Sequence, residues 1–102
     1  MFHVYVLQSQ VTGRRYTGSC EDINDRLVRH NAGESVATRH GVPWRLVYTE
    51  AFATRAEATR RERFLKTGRG RDELNVLIDA KPLERRTVAE KQQRRYDTGS
   101  GA

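Results

Sequence analysis

The sequence has a single cysteine, Cys20, so an internal disulfide is excluded. It also lacks any Cys-x-x-Cys pair, and its histidines, His3, His30 and His40, are scattered. That argues against a Cys/His zinc cage. Long apolar runs are missing too. The run nearest the start, Val4 to Leu7, has no basic region before it and no small-residue cleavage site after it. It reads as neither a signal peptide nor a membrane span, and the expected compartment is the cytoplasm. Internal repeats are absent. Acidic residues are outnumbered, 13 Asp and Glu against 19 Lys and Arg, for a formal charge of +6.

What is present fits one domain with a modest core: 102 residues, 36% hydrophobic and 31% charged. The chain is polar, yet its apolar residues gather into periodic runs, which separates it from disordered sequences. Arginine far outnumbers lysine. Planar guanidinium forks suit bidentate recognition of phosphate. A basic balance of this kind favours an anionic partner, nucleic acid first and an anionic membrane surface second.

Residues 2–8 are rich in β-branched and aromatic types and predict a strand. Thr12-Gly13 follows, then a second short strand from Arg14 to Ser19, which suggests a hairpin. Asp22 is placed to cap a helix that leaves through Asn31-Ala32-Gly33. Residues 33–43 read as a loop closed by Pro43, and Trp44 to Phe52 as a third strand. Thr54 and Glu57 form a capping box that opens a helix to about Lys66. Gly68 to Arg71 reads as a break. Asp72 then reads as the cap of a short helix, ELNVLIDA, that stops before Pro82. Residues 81–102 read as a basic tail, helical and then disordered, outside a domain at 1–80. The order β-β-α-β-α-α predicts an α+β fold with a small, mostly antiparallel three-stranded sheet flanked by helices.

Three features carry chemistry. On the second long helix Ala58, Glu62 and Leu65 share a face, so Glu62 is a carboxylate on the stripe that should meet the sheet. A half-buried carboxylate calls for a partner. One reading is an ion pair with Arg61 or with an arginine of another element; the other is a metal ligand. On the first helix Ile23, Leu27 and His30 share a face with Arg26 at its edge. Arg26 is placed to clamp a phosphate or to pair with Asp22 or Asp25. His30 is a proton carrier, a phosphate contact or a half-buried structural histidine. Tyr5 and Tyr16 sit mid-strand in the hairpin, with Gly18 two residues beyond Tyr16 on the same face. A glycine there leaves room for a ligand or a close backbone, while each tyrosine alone also reads as packing.

Taken in order, these residues resemble the GIY-YIG nuclease family. His3-Val4-Tyr5 stands where the first tripeptide would be, and Tyr16-Thr17-Gly18 where the second would be. Further stretches are similar to small stand-alone bacterial members and to the N-terminal nuclease domain of an excinuclease: VYVLQS, DRLVRHNAG, Thr38-Arg39 before Pro43-Trp44, WRLVYTEAF and ERFLKTGRGR. The likeness covers about residues 2–80. It departs from the family pattern at His3, Val4 and Thr17, and it keeps both tyrosines and Gly18. Asn75 is the one residue near the place of the late asparagine of some members, and it is left outside the expected site.

The resemblance implies an endonuclease that hydrolyses phosphodiester bonds, with DNA as the expected substrate, in repair or recombination. Catalysis would fall to Tyr5, Tyr16, Arg26, His30 and Glu62. Glu62 would hold one Mg²⁺ or Mn²⁺ ion, Arg26 would bind the scissile phosphate, and Tyr5, Tyr16 or His30 would act on the attacking water. Gly18, Arg14, Arg15 and Lys66 would contact substrate. Residues 55–71 carry seven Lys or Arg against two Glu, which suits salt-sensitive phosphate contacts with little base readout. Competing readings are a binding module without catalysis, a nuclease subunit that depends on a protein partner for targeting, and a structural protein of a ribonucleoprotein particle.

Overall fold

The apolar run at the start of the chain forms strand β1 (Phe2–Ser9) and turns back onto β2 (Arg15–Cys20). The computed structural model describes residues 1–80; the tail read at 81–102 lies outside them. Ser9 organises the turn. Its hydroxyl accepts from the amides of Val11 and Thr12 at 3.1 and 2.9 Å and donates to the Gly41 carbonyl at 2.6 Å. The third strand, β3 (Trp44–Phe52), pairs with the other side of β1. Both pairings are antiparallel, so the sheet order is β2-β1-β3, with an irregularity in β1 between Val6 and Leu7.

Three helices cover this sheet: α1 (Ile23–Asn31), α2 (Arg55–Leu65) and α3 (Gly68–Ala80). As the central strand, β1 is covered on both faces, and its sequence is apolar without alternation for that reason. Val4 and Val6 join Val47, Ala58, Leu65 and Leu74 in a core under α2 and α3. Tyr5 and Leu7 join Cys20, Trp44 and Leu46 on the other face, with Ile23 and Leu27 of α1 packed against them. The α+β order β-β-α-β-α-α is the observed one. No helix among the described residues is long and apolar enough to cross a membrane.

Local chemistry sets the helix starts. Asp22 accepts from the Asp25 amide at 2.9 Å and caps α1. Thr54 and Glu57 exchange their two capping hydrogen bonds at the start of α2, both at 3.2 Å. The loop at 33–43 holds a short 3-10 turn, Arg39–Gly41.

At Gly68 to Arg71 the structure corrects the expected break. These residues are the first turn of α3, and Asp72 lies inside the helix rather than at its cap. The capping group is Thr67, whose hydroxyl accepts from the Gly70 amide at 3.1 Å. Glycine at 70 marks close packing, since a side-chain carbon there would overlap the Phe64 carbonyl and the Leu65 backbone at the end of α2. The two glycines therefore read as a breaker by composition while one of them meets a packing demand that only the folded chain imposes.

Candidate active site

The hairpin register places the two tyrosines. Tyr5 lies opposite Gly18, and Leu7 opposite Tyr16. A Cβ on Gly18 would stand 2.6 Å from the Tyr5 hydroxyl oxygen. The room that the sequence leaves at Gly18 is thus filled by the Tyr5 phenol, which lies across the strand. Tyr5 is buried, 1% exposed, whereas Tyr16 is only partly covered.

From α1, His30 reaches the same place. It is 3% exposed, its Nε2 is 2.9 Å from the Tyr5 hydroxyl, and its Nδ1 is 2.8 Å from the hydroxyl of Thr38. The rings of Tyr16 and His30 are 5.1 Å apart, and those of Tyr5 and Tyr16 6.3 Å. Burial, and then the positive charge of Arg26, push the His30 pKa down, so the imidazole is held neutral. Burial, and then the neighbouring Tyr16, push the Tyr5 phenol up, with Arg26 acting the other way. Arg26 makes no ion pair among the described residues: Asp22 is engaged as a cap and Asp25 pairs with Arg29 at 3.0 Å. Together Tyr16, Arg26, Arg29, His30, Glu34 and Ser35 line a cavity of about 320 Å³.

Glu62 reaches the edge strand from the other face of the sheet. One carboxylate oxygen accepts from Ser19 of β2 at 2.7 Å, and the other pairs with Lys66, one turn along α2, at 2.9 Å. Arg61, the ion-pair partner that neighbours it in sequence, instead joins Glu50 at 2.8 Å and Glu73 at 2.6 Å. Glu62 does not share the wall of the 320 Å³ cavity; the edge strand β2 separates the two. Arg14, Arg15 and Lys66 come together in a second, larger groove of about 880 Å³, along with Gln8, Arg71 and Asn75. Arg15 donates to the Asn75 side chain there at 2.6 Å. Tyr16 lines both spaces. The candidate residues therefore wrap the free edge of β2, with tyrosines, histidine and one arginine on the α1 side and Glu62 with the basic groove on the α2 side.

Two residues in this arrangement escape a reading of the sequence. Ser19 is an ordinary strand serine until α2 brings Glu62 against it. Thr38 lies in a polar loop whose residues carry no periodic signal, and it is buried in the folded chain, where it meets His30 and Trp44.

The chain is similar to known proteins over most of its length. The GIY-YIG catalytic domain matches residues 1–75. A UPF0213 protein of Halobacterium salinarum is 42% identical over 67 residues, covering 65% of this chain and 86% of its own. A UPF0213 protein of Staphylococcus saprophyticus is 34% identical over 78 residues, covering 76% and 94%. The solution NMR structure of the UPF0213 protein BH0048 from Bacillus halodurans is 36% identical, covers 76% of this chain and 85% of that one, and has a TM-score of 0.47. On the domain match and the two sequence relatives, the chain belongs to the GIY-YIG catalytic-domain family, a family of nucleases, and to its UPF0213 group.

Proposed function

We propose that the protein is a metal-dependent endonuclease that cleaves nucleic-acid phosphodiester bonds, with DNA as substrate, at the free edge of β2. The observation that carries this reading is the placement of Tyr16. It is the residue common to the cavity of Arg26 and His30 and to the groove of Arg14, Arg15, Lys66 and Arg71. A phosphate held by Arg26 has a cationic groove in which its strand continues.

In this reading Arg26 binds the scissile phosphate and offsets charge in the transition state. Tyr16 meets the attacking water. A phenol that takes a proton near neutral pH needs a nearby cation, and Arg26 lines the same cavity. Neutral His30 lines the same cavity, and Tyr5, buried behind it, holds the ring at Nε2. Glu62 is the residue that would hold a divalent ion. Among the described residues no group of three His, Cys, Asp or Glu side chains is gathered for a metal. A lone carboxylate suits Mg²⁺ or Mn²⁺, a hard ion that keeps several waters. When bound, such an ion supplies charge neutralisation at the phosphate oxygens and leaving group. Lys66, half exposed and paired with Glu62, lines the basic groove. A role in repair or recombination and a cytoplasmic location fit a small chain of this kind, and a protein partner would supply any targeting.

The test is cleavage of nicked, branched and single-stranded DNA with Mg²⁺ or Mn²⁺. Wild type should cut, and Glu62→Ala and Arg26→Ala should each lose at least about a hundredfold in rate, the scale of one electrostatic group aimed at the transition state. Equal activity in wild type and both variants would sink the assignment. Binding without cleavage by wild type would favour the non-catalytic module.

A further inference from the structure

The two oxygens of the Glu62 carboxylate have different neighbours. Strand alternation puts Thr17 and Ser19 on the face of β2 opposite Tyr16 and Gly18. On that face the Ser19 hydroxyl donates to Glu62 Oε1 at 2.7 Å. Lys66, one turn on from Glu62, donates to Oε2 at 2.9 Å. Both directions are fixed, since an ammonium only donates and an ionised carboxylate only accepts. Among the described residues no other side-chain hydrogen bond or ion pair reaches this carboxylate.

The two partners respond differently to a cation at the carboxylate. Ser19 is neutral and short, and the register against β1 sets it opposite Val4. Its hydrogen bond is compatible with positive charge on the other oxygen, and carboxylates that hold a metal are ordinarily held by such a bond themselves. Lys66 carries its charge on a long stem and is half exposed. An exposed pair between residues four apart stabilises little. An ammonium a few ångströms from a divalent ion is also repelled by it.

We propose that the two oxygens of Glu62 have separate tasks: Ser19 is the positioning residue that anchors Oε1 to β2, and Lys66 occupies the place at Oε2 that a divalent ion would take. The inference rests on the reading of Glu62 as the residue that would hold the ion. It gives the two neighbours opposite effects on ion binding. A purely structural role, in which both hydrogen bonds steady the side chain, gives them the same effect.

The experiment is a Mn²⁺ titration of the full chain without nucleic acid, read as paramagnetic broadening of the Ser19 and Glu62 amide signals in ¹H–¹⁵N spectra. Wild type should bind the ion and Glu62→Gln should not. Ser19→Ala should weaken binding by about tenfold, the scale of a lost partner of a metal ligand. Ser19→Thr, which keeps the hydroxyl, should stay near wild type. Lys66→Met should strengthen binding by about twofold or more, the scale of an exposed pair. That gain should exceed the gain in Arg60→Met, which removes an exposed charge of α2. Weaker binding in both Ser19→Ala and Lys66→Met overturns the inference and leaves Glu62 as the ligand. So does unchanged binding in Ser19→Ala, or a gain in Lys66→Met no larger than that in Arg60→Met. If Ser19→Ala does not fold, Ser19→Thr and the sign in Lys66→Met still decide. Wild-type binding by Glu62→Gln, or none by wild type, overturns the inference together with the metal reading. The expected signs in a protein that cuts nothing would count against the nuclease reading and leave the two tasks standing.

Discussion

Gly18 and Tyr5 face each other across the hairpin with no room for a side chain between them. A methyl at 18 has to displace the phenol, and the phenol is tied to His30. Gly18→Ala should therefore lower stability by about 1–3 kcal/mol, as overpacking does, and reduce cleavage as the Tyr5–His30 bond is lost. Urea unfolding and a rate assay on the same preparation check it; a variant unchanged in both would mean that Tyr5 can move aside freely. The sequence shows the two tyrosines and the face that Gly18 shares with Tyr16, because strand alternation is local. It does not show that the space at Gly18 is taken from within.

Elements follow the same division. The caps at Asp22 and Thr54 are legible because a cap is satisfied within three residues. The start of α3 is not, because Gly68 and Gly70 look alike in sequence and differ only in what surrounds them. Open space surrounds Gly68, whereas Gly70 is pressed against the end of α2. Gly70→Ala should destabilise by about 1–3 kcal/mol. Gly68→Ala, in the first turn of the same helix, should be neutral or stabilise by up to about 1 kcal/mol. Thermal melts of the two variants side by side test the contrast, and equal effects would remove the packing explanation. Glu62 and Arg61 make a parallel case. Neighbours on one helix point to different places, so Arg61 finds Glu50 and Glu73 while Glu62 finds Ser19 and Lys66.

Across the whole molecule, acid should weaken the fold in two windows. The folded pKa of His30 is depressed, so its contribution is present above its ordinary value of about 6.5 and is lost as pH falls through the lowered one. Burial alone would raise the Glu50 carboxyl, but hydrogen bonds from Arg61 and Tyr48 outweigh it and hold it below the ordinary value. Its contribution is present above about pH 4.3 and is lost further into acid. Melting temperature followed between roughly pH 8 and pH 3 should fall in both windows, and His30→Gln should remove the first alone. A wild type that is flat through the first window would contradict the buried neutral imidazole. The basic groove makes a second whole-molecule prediction. With Glu62→Ala protein, which the proposed mechanism expects not to cut, removing Arg14 or Arg71 should flatten the salt dependence of binding by about 0.9 per lost phosphate contact on duplex, or about 0.7 on a single strand. An unchanged slope would take the groove out of the binding path.

Sequence by itself determined the element order, the caps of α1 and α2 and the residues available for chemistry, because each of these depends on neighbours within a turn or a strand. The central place of β1 came with the fold, where β3 pairs with its other side. The spatial arrangement of the candidate site belongs to the tertiary structure. Register across the hairpin closed the space at Gly18, the docking of α2 put Glu62 against Ser19, and the folded chain set Thr38 against His30 and Trp44. These contacts join residues far apart in the chain, and no local periodicity records which distant partner fills a given gap.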